Sequence, residues 1–348
     1  MVEQSVSAGG GRVAWLDYAR LVSALAVVAF HYLWNGPHHH IVPVEFGLLG
    51  RIAAHGYLGV DVFFIISGFV ILQSASGASP DRFVVGRLTR LYPAFLLCML
   101  ATFCILRLPL KDLPAQFTMM PRLFGVEPAD DVYWTLTVEM KFYAAVLVVL
   151  LLGWMRHVEW LVLAGVLIFA CWTNSWHNPS HYLEFGAGCA LALIYREGFR
   201  PVPTLALTIA APLVIYLAAK AGPNYTSHLA IALVMTAVFA IVLGLRTVRF
   251  VPRGSEALGA LTYPLYLLHG ELGYAAMRTF CTEENKAWTV PLIAAAALAA
   301  AWGVARYEAW SRPWWKRLFD RTAGAGLRWA VATLSTARRA AGAEAGSR

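Results

Sequence analysis

Charge is what this sequence has least of. Asp, Glu, Lys and Arg make up 14% of its 348 residues, where an ordinary soluble domain carries roughly a quarter. Hydrophobic residues make up 59% and the mean hydropathy is +0.59, which excludes a water-solvated globule around one core. The five cysteines (Cys98, Cys104, Cys171, Cys189, Cys281) show no CxxC or other ligand spacing. A zinc or redox motif is therefore not indicated, and unpaired thiols in apolar surroundings are the expectation. No internal repeat and no second soluble domain can be drawn. What is there instead is a series of long apolar runs, the pattern of an all-α, polytopic integral membrane protein. The net charge of +8 fits the positive-inside rule better than a nucleic-acid partner.

About ten spans can be placed, near 15–34, 57–74, 91–107, 139–154, 159–174, 181–196, 203–219, 228–245, 259–278 and 288–306. Each is long enough for a hydrocarbon core of ~30 Å at about 1.5 Å per residue. The polar leader "MVEQSVSAGGGR" has no clear small-residue cleavage site after the first apolar run, so that run is expected to be an uncleaved signal-anchor helix. Alternating the connections between the two sides puts most Lys and Arg on the N-terminal side, which predicts that both termini are cytoplasmic. The longest outer connection, roughly 108–138, carries Pro109, Pro114, Pro121 and Pro128; a connection this long is often functional or forms a re-entrant cap. Residues 1–311 are expected to form the transmembrane domain. Residues 312–348, with "WWKR" directly after Pro313, are expected to be a basic cytoplasmic tail, interfacial or disordered.

Ionisable residues inside spans are costly in lipid unless paired or facing a cavity. In "RLVSALAVVAFH", Arg20 and His31 stand eleven positions apart. At about 100° per residue they return to within roughly 20° of one face, separated by ~16 Å along the axis. A snorkelling arginine and an interfacial histidine beside Trp34 is the plainer alternative. In "GYLGVDVFFIISGFVI", Asp61 falls at the depth expected for His31 and could orient it as a general base, or could cap the helix end. Ser67 and Gly68 favour close helix packing. Arg87 and Arg90 in "RLTRLYPAF" share a helical face and could fork a phosphate, or reflect topology alone. Glu139 in "YWTLTVEMKFY" stands among Trp134, Tyr133, Phe142 and Tyr143, as belt residues or as a sugar-binding or proton-transfer site. In "LTYPLYLLHG", His269 falls near the middle of the ninth span, after Tyr263. "PHHH" at 37–40 reads as a solvated loop rather than a metal site.

These segments together resemble the membrane-bound acyltransferase family 3, integral-membrane enzymes that O-acylate bacterial surface and exported carbohydrates. The resemblance covers most of the chain and rests on "LDYARLVSALAVVAFH" with its Arg–ten residues–His spacing, "GVDVFFIISGFVI", "RLTRLYPAF", "WTLTVEMKFY", "FGAGCALAL" and "LTYPLYLLH", in the family's order. Two details depart: "LDYAR" stands where a glycine often follows the Asp, and Thr135 where serine is commoner. The tail is also expected to be too short for the SGNH esterase-like domain that some members append.

The resemblance implies a bacterial inner-membrane, multi-pass enzyme with no permanently bound cofactor. It implies that acetyl-CoA or another acyl-CoA is used from the cytoplasm and that a carbohydrate hydroxyl accepts the acyl group outside. Arg20, Arg87 and Arg90 would hold the CoA phosphates, and His31 would act as general base or transient acyl carrier. Asp61 or Glu139 would position it or share its proton, and Ser67, Trp134, Tyr263 and His269 would line the cavity. A small-molecule acceptor such as a macrolide, or a succinyl donor, are alternatives within the same chemistry. A proton-coupled carrier is the alternative of another class; carriers of that kind often show two matching halves, which are not visible here. A non-catalytic scaffold is a third.

Overall fold

A computed structural model describes residues 15–172, 180–221 and 254–333, with single helical residues at 232, 235, 236, 239, 240 and 244. Every regular element among them is helical. Among the described residues the ten longest α-helices are α1 (Trp15–Ala29), α2 (Leu58–Ala75), α3 (Pro80–Leu106), α4 (Trp134–Leu151), α5 (Val158–Trp172), α6 (Ser180–Glu197), α7 (Pro201–Ala221), α8 (Ser255–Leu268), α9 (Glu271–Phe280) and α10 (Lys286–Phe319).

Among the described residues, seven helical stretches are long and apolar enough to cross a membrane, against the ten spans expected. Three expected spans account for the difference. The one near 181–196 is helix α6, whose 18 residues include Glu184, Arg196 and Glu197. The one at 228–245 lies mostly outside the described residues, and the leader 1–14 and the end of the tail, 334–348, lie wholly outside them. The one at 259–278 is not continuous: it breaks between α8 and α9. The part of the tail from 312 to 333 is helical, and α10 runs from Lys286 to Phe319 without a stop at residue 311.

The outside of the bundle is apolar. Val22, Ile105, Trp160, Leu292 and Trp302 are all more than half exposed, the inverse of a soluble protein and the pattern expected where lipid replaces water. The chain is a multi-pass membrane protein.

Inside, α2 forms the hub. It packs on α1 and, most extensively, on α6. That second contact is made backbone to backbone. A Cβ added at Gly68 would lie 2.2 Å from the Phe185 carbonyl oxygen, and one at Gly188 would lie 2.0 Å from the Ile65 carbonyl oxygen. Small residues at such crossings let helices approach where no hydrophobic effect drives them together. Helices α5 and α7 close around α6 on one flank, while α3, α8 and α10 pack together on the other.

Two irregularities position the chemistry. Helix α1 keeps regular α geometry to Ala29 and then widens into a π turn over Phe30–Asn35, a local expansion that is frequent at functional sites. The second irregularity is the break after α8. The 108–138 connection folds on itself around buried Gln116, whose Nε2 donates to the Glu127 carbonyl at 2.8 Å and whose Oε1 accepts from Ala129 N–H at 3.0 Å. This delivers Asp130 to the start of α9, where its Oδ2 accepts from the Glu271 N–H at 2.8 Å and its Oδ1 from the Val132 N–H at 3.2 Å. Only glycine fits opposite: a Cβ at Gly270 would sit 2.2 Å from Asp130 Oδ1. His269 therefore lies at the end of a helix, not in the middle of one.

Candidate active site

Two cavities meet inside the bundle. The larger, of about 770 Å³, is bounded by α1, α2, α3, α4, α8 and α10, and it gathers six of the residues singled out from sequence: Arg20, Ser67, Arg87, Arg90, Glu139 and Tyr263. The smaller, of about 180 Å³, holds His31, Asp61 and Trp134 together with Asp131 and His181. Val60 and Tyr266 line both. They form the wall between them.

In the larger cavity the arginines are arranged rather than merely present. Arg87 lies over the Tyr143 ring and Arg90 over the Tyr263 ring, each at 5.8 Å, contacts that hold a guanidinium by its face and leave its edge for an anion. Arg87 Nε is buried and makes no hydrogen bond within the protein. Arg90 Nη1 donates to Glu308 Oε1 at 3.1 Å, and Arg312 Nη2 donates to the same oxygen at 2.8 Å. Glu308 is almost fully buried in α10. Glu139, expected beside His31, stands here instead and accepts from the Tyr143 hydroxyl at 2.5 Å.

In the smaller cavity His31 is held by its Nδ1, which lies 2.8 Å from the Val27 carbonyl oxygen and 3.3 Å from His269 Nε2. His269 Nδ1 in turn lies 2.7 Å from the Tyr266 carbonyl oxygen. Carbonyl oxygens only accept, so both Nδ1 atoms carry the proton. His269 Nε2 is then a second acceptor for the His31 Nδ1–H, and His31 Nε2 is left as the basic nitrogen. The two rings meet edge to face at 4.8 Å. His269 is fully buried and occupies the orienting position that sequence reasoning assigned to Asp61.

Asp61 lines the same cavity but is hydrogen-bonded to Glu184, and Glu184 Oε2 lies 3.3 Å from His181 Nδ1. Two carboxyls in one hydrogen bond must share a proton. His181 also packs between Phe64 at 4.9 Å and Trp134 at 4.8 Å. Tyr266 closes the septum: its hydroxyl donates to the Val132 carbonyl at 3.0 Å and lies 3.0 Å from Thr135 Oγ1.

Glu184, His181, Glu308 and Asp130 were not found from sequence. Glu184 had a local signal, a carboxylate within a largely apolar span and immediately before the glycine-rich "FGAG", and the break that Asp130 supports had one in "HGE", which ends one apolar helical pattern and begins another. His38, His39 and His40 are exposed, on and just after the short turn following the π segment, and no cluster with metal-ligand composition occurs among the described residues.

The family described as acyltransferase domain, of the acyltransferase 3 type, matches residues 13–306. The chain belongs to this acyltransferase family. Residues contributing to both cavities fall almost entirely within that match; Arg312, Lys316 and Asp320 of the larger one lie beyond it. Among curated relatives, the chain is similar to the acyltransferase MdmB of Streptomyces mycarofaciens, at 26% identity over 83% of this chain and 88% of that one. It is also similar to an O-acetyl transferase of Shigella phage Sf6, at 35% identity over 29% of each chain. No solved structure matches it. As a member of this acyltransferase family the protein is a transferase that moves an acyl group to an acceptor.

Proposed function

We propose that this acyltransferase takes an acyl group, in the simplest case acetyl, from acyl-CoA on the cytoplasmic side of a bacterial inner membrane and esterifies a hydroxyl of a surface or exported carbohydrate. The larger cavity is the donor site, with Arg20, Arg87 and Arg90 facing the CoA phosphates. The smaller cavity is where the acceptor hydroxyl and the thioester meet. The excess of Lys and Arg on the N-terminal side supports this orientation, because it puts the arginine-lined cavity towards the cytoplasm and His31 towards the outside.

The observation that carries the reading is the state of His31. With Nδ1–H committed to Val27 and His269, Nε2 is the base in a cavity that abuts the arginine-lined one. His31 Nε2 removes the proton from the acceptor hydroxyl as its oxygen attacks the thioester carbonyl. A C–O bond forms, the C–S bond breaks, and the CoA thiolate leaves and takes the proton from the imidazolium. Throughout the step the His31 Nδ1–H keeps its two acceptors, which hold the ring in place. Asp61, Asp131 and His181 line the acceptor's approach, with Trp134 as an apolar face for a sugar ring.

Mass spectrometry of surface glycans from cells with and without the protein, and with His31→Ala, tests this reading. The expected result is an acyl mass lost from one glycan in both the deletion and the variant. An unchanged glycan profile, with the acyl mass found on a secreted small molecule, would move the acceptor out of the carbohydrate class.

A further inference from the structure

The cations of the larger cavity fall into two tiers. Arg20, Arg87 and Arg90 are half-buried, whereas Arg82, Arg312 and Lys316 are exposed at the rim; the side chain of Arg90 is 31% exposed and that of Arg312 54%. Two of the rim cations belong to the segment that sequence reasoning placed in a tail. Helix α10 carries them past residue 311, and their spacing of four puts both on the face that borders the cavity.

The rim is kept positive. Asp320, the rim's carboxylate, is bonded by Arg328 Nη1 at 2.9 Å, and the same nitrogen reaches Asp81 Oδ2 at 3.0 Å. Arg312 uses Nη2 on Glu308 and retains its other donors. Because Glu308 Oε1 accepts from both Arg90 and Arg312, one buried carboxylate sets the distance between the inner tier and the rim.

Resting on the donor-site reading above, we propose that the rim formed by Arg82, Arg312 and Lys316 binds the ribose 3′-phosphate of coenzyme A, so that the C-terminal extension of α10 is part of the donor site. Coenzyme A carries two separate anionic groups. Its diphosphate links the pantetheine arm to the ribose 5′ carbon, and its 3′-phosphate hangs from the same ribose, one sugar further from the thioester. With the thioester directed inward to Tyr266 and His31, the diphosphate falls to the inner arginines and the 3′-phosphate to the rim.

The test uses the full chain in detergent, with coenzyme A and 3′-dephospho-coenzyme A as the two probes in equilibrium binding. The wild-type protein is expected to bind coenzyme A about tenfold or more tightly than the dephospho form, the effect of roughly one or two charge-assisted hydrogen bonds. R312A/K316A is expected to lose that preference, binding coenzyme A about tenfold more weakly and the dephospho form unchanged. R87A is expected to weaken both. K316E, which keeps Arg312 on Glu308, gives the same discrimination should the double variant fail to fold. Equal binding of the two probes by the wild-type protein, or equal losses on both in the rim variants, overturns the rim assignment alone. A wild-type protein that binds neither probe overturns the donor-site reading and the rim assignment with it.

Discussion

The larger cavity holds six cationic side chains against two carboxylates, Glu139 and Asp320, in about 770 Å³. The smaller holds two histidines and two aspartates in about 180 Å³. One presents fixed positive charge, since guanidinium groups remain cationic at any working pH. The other is built from groups that exchange protons. Their separation keeps each chemistry from spoiling the other: an arginine beside His31 would disfavour the imidazolium that the reaction needs. The contrast is one of residue type: permanent cations dominate one cavity and proton-exchanging groups the other.

Substitutions that strike only one cavity test this division. The largest expected effect is from His31→Ala, which should lower acyl transfer by roughly 10²–10⁴-fold, the range for loss of a general base, while coenzyme A binding stays within twofold. A parallel loss of binding would mean that the two cavities are not functionally distinct. Arg90→Ala should do the reverse. It removes a cation held between Tyr263 and Glu308 and should raise the acyl-CoA KM by roughly 10- to 100-fold with kcat nearly kept; a fall in kcat alone would place Arg90 in the chemistry instead.

Tyr266→Phe removes the hydroxyl that ties the shared wall to Val132 and Thr135. Losing about 1 kcal/mol of hydrogen bonding should raise acyl-CoA hydrolysis without acceptor by a few-fold, measured by free thiol release. No rise in that leak would argue that Tyr266 is not the barrier.

The smallest expected effect concerns Asp130, which lies between the spans beneath the break. Burial pushes its carboxyl up to about 7, against the opposing pull of the Glu271 and Val132 N–H groups. A carboxyl raised on folding binds its proton more tightly in the native state. Its contribution to stability is therefore complete below the unfolded value near 4, is lost as pH rises towards 7, and is level above that. Thermal unfolding in detergent should show this slope in the wild-type protein and a flatter one in Asp130→Asn. Identical slopes would remove Asp130 from the account.

Much of the larger cavity was legible in the sequence, because its residues recur at helical spacing within single apolar runs: Arg20 in α1, Arg87 and Arg90 in α3, Glu139 in α4. Period and composition report which face and which half of a span a residue occupies. They do not report which distant residue faces it. His31 and His269, 238 positions apart, both stood out as costly groups, yet their pairing depended on a helix break set by Asp130 from a loop without periodicity. Asp61 was paired with His31 on depth alone, when α6 brings Glu184 closer. Arg312 and Lys316 were hidden by composition, since basic residues beside tryptophans read equally well as an interfacial anchor.

The glycine contact between α2 and α6 carries a mechanical consequence. With Gly68 against Phe185 and Gly188 against Ile65, each backbone is indexed to the other at two points, and neither helix can slide or roll without a steric clash. The two therefore move as a single stiff body that carries Asp61 and Glu184 with it. A shift of α2 against α6 would therefore have to open both glycine contacts together. In the proposed cycle the wall that carries Asp61 would be the fixed jaw of the smaller cavity, with Tyr266 on the wall across from it.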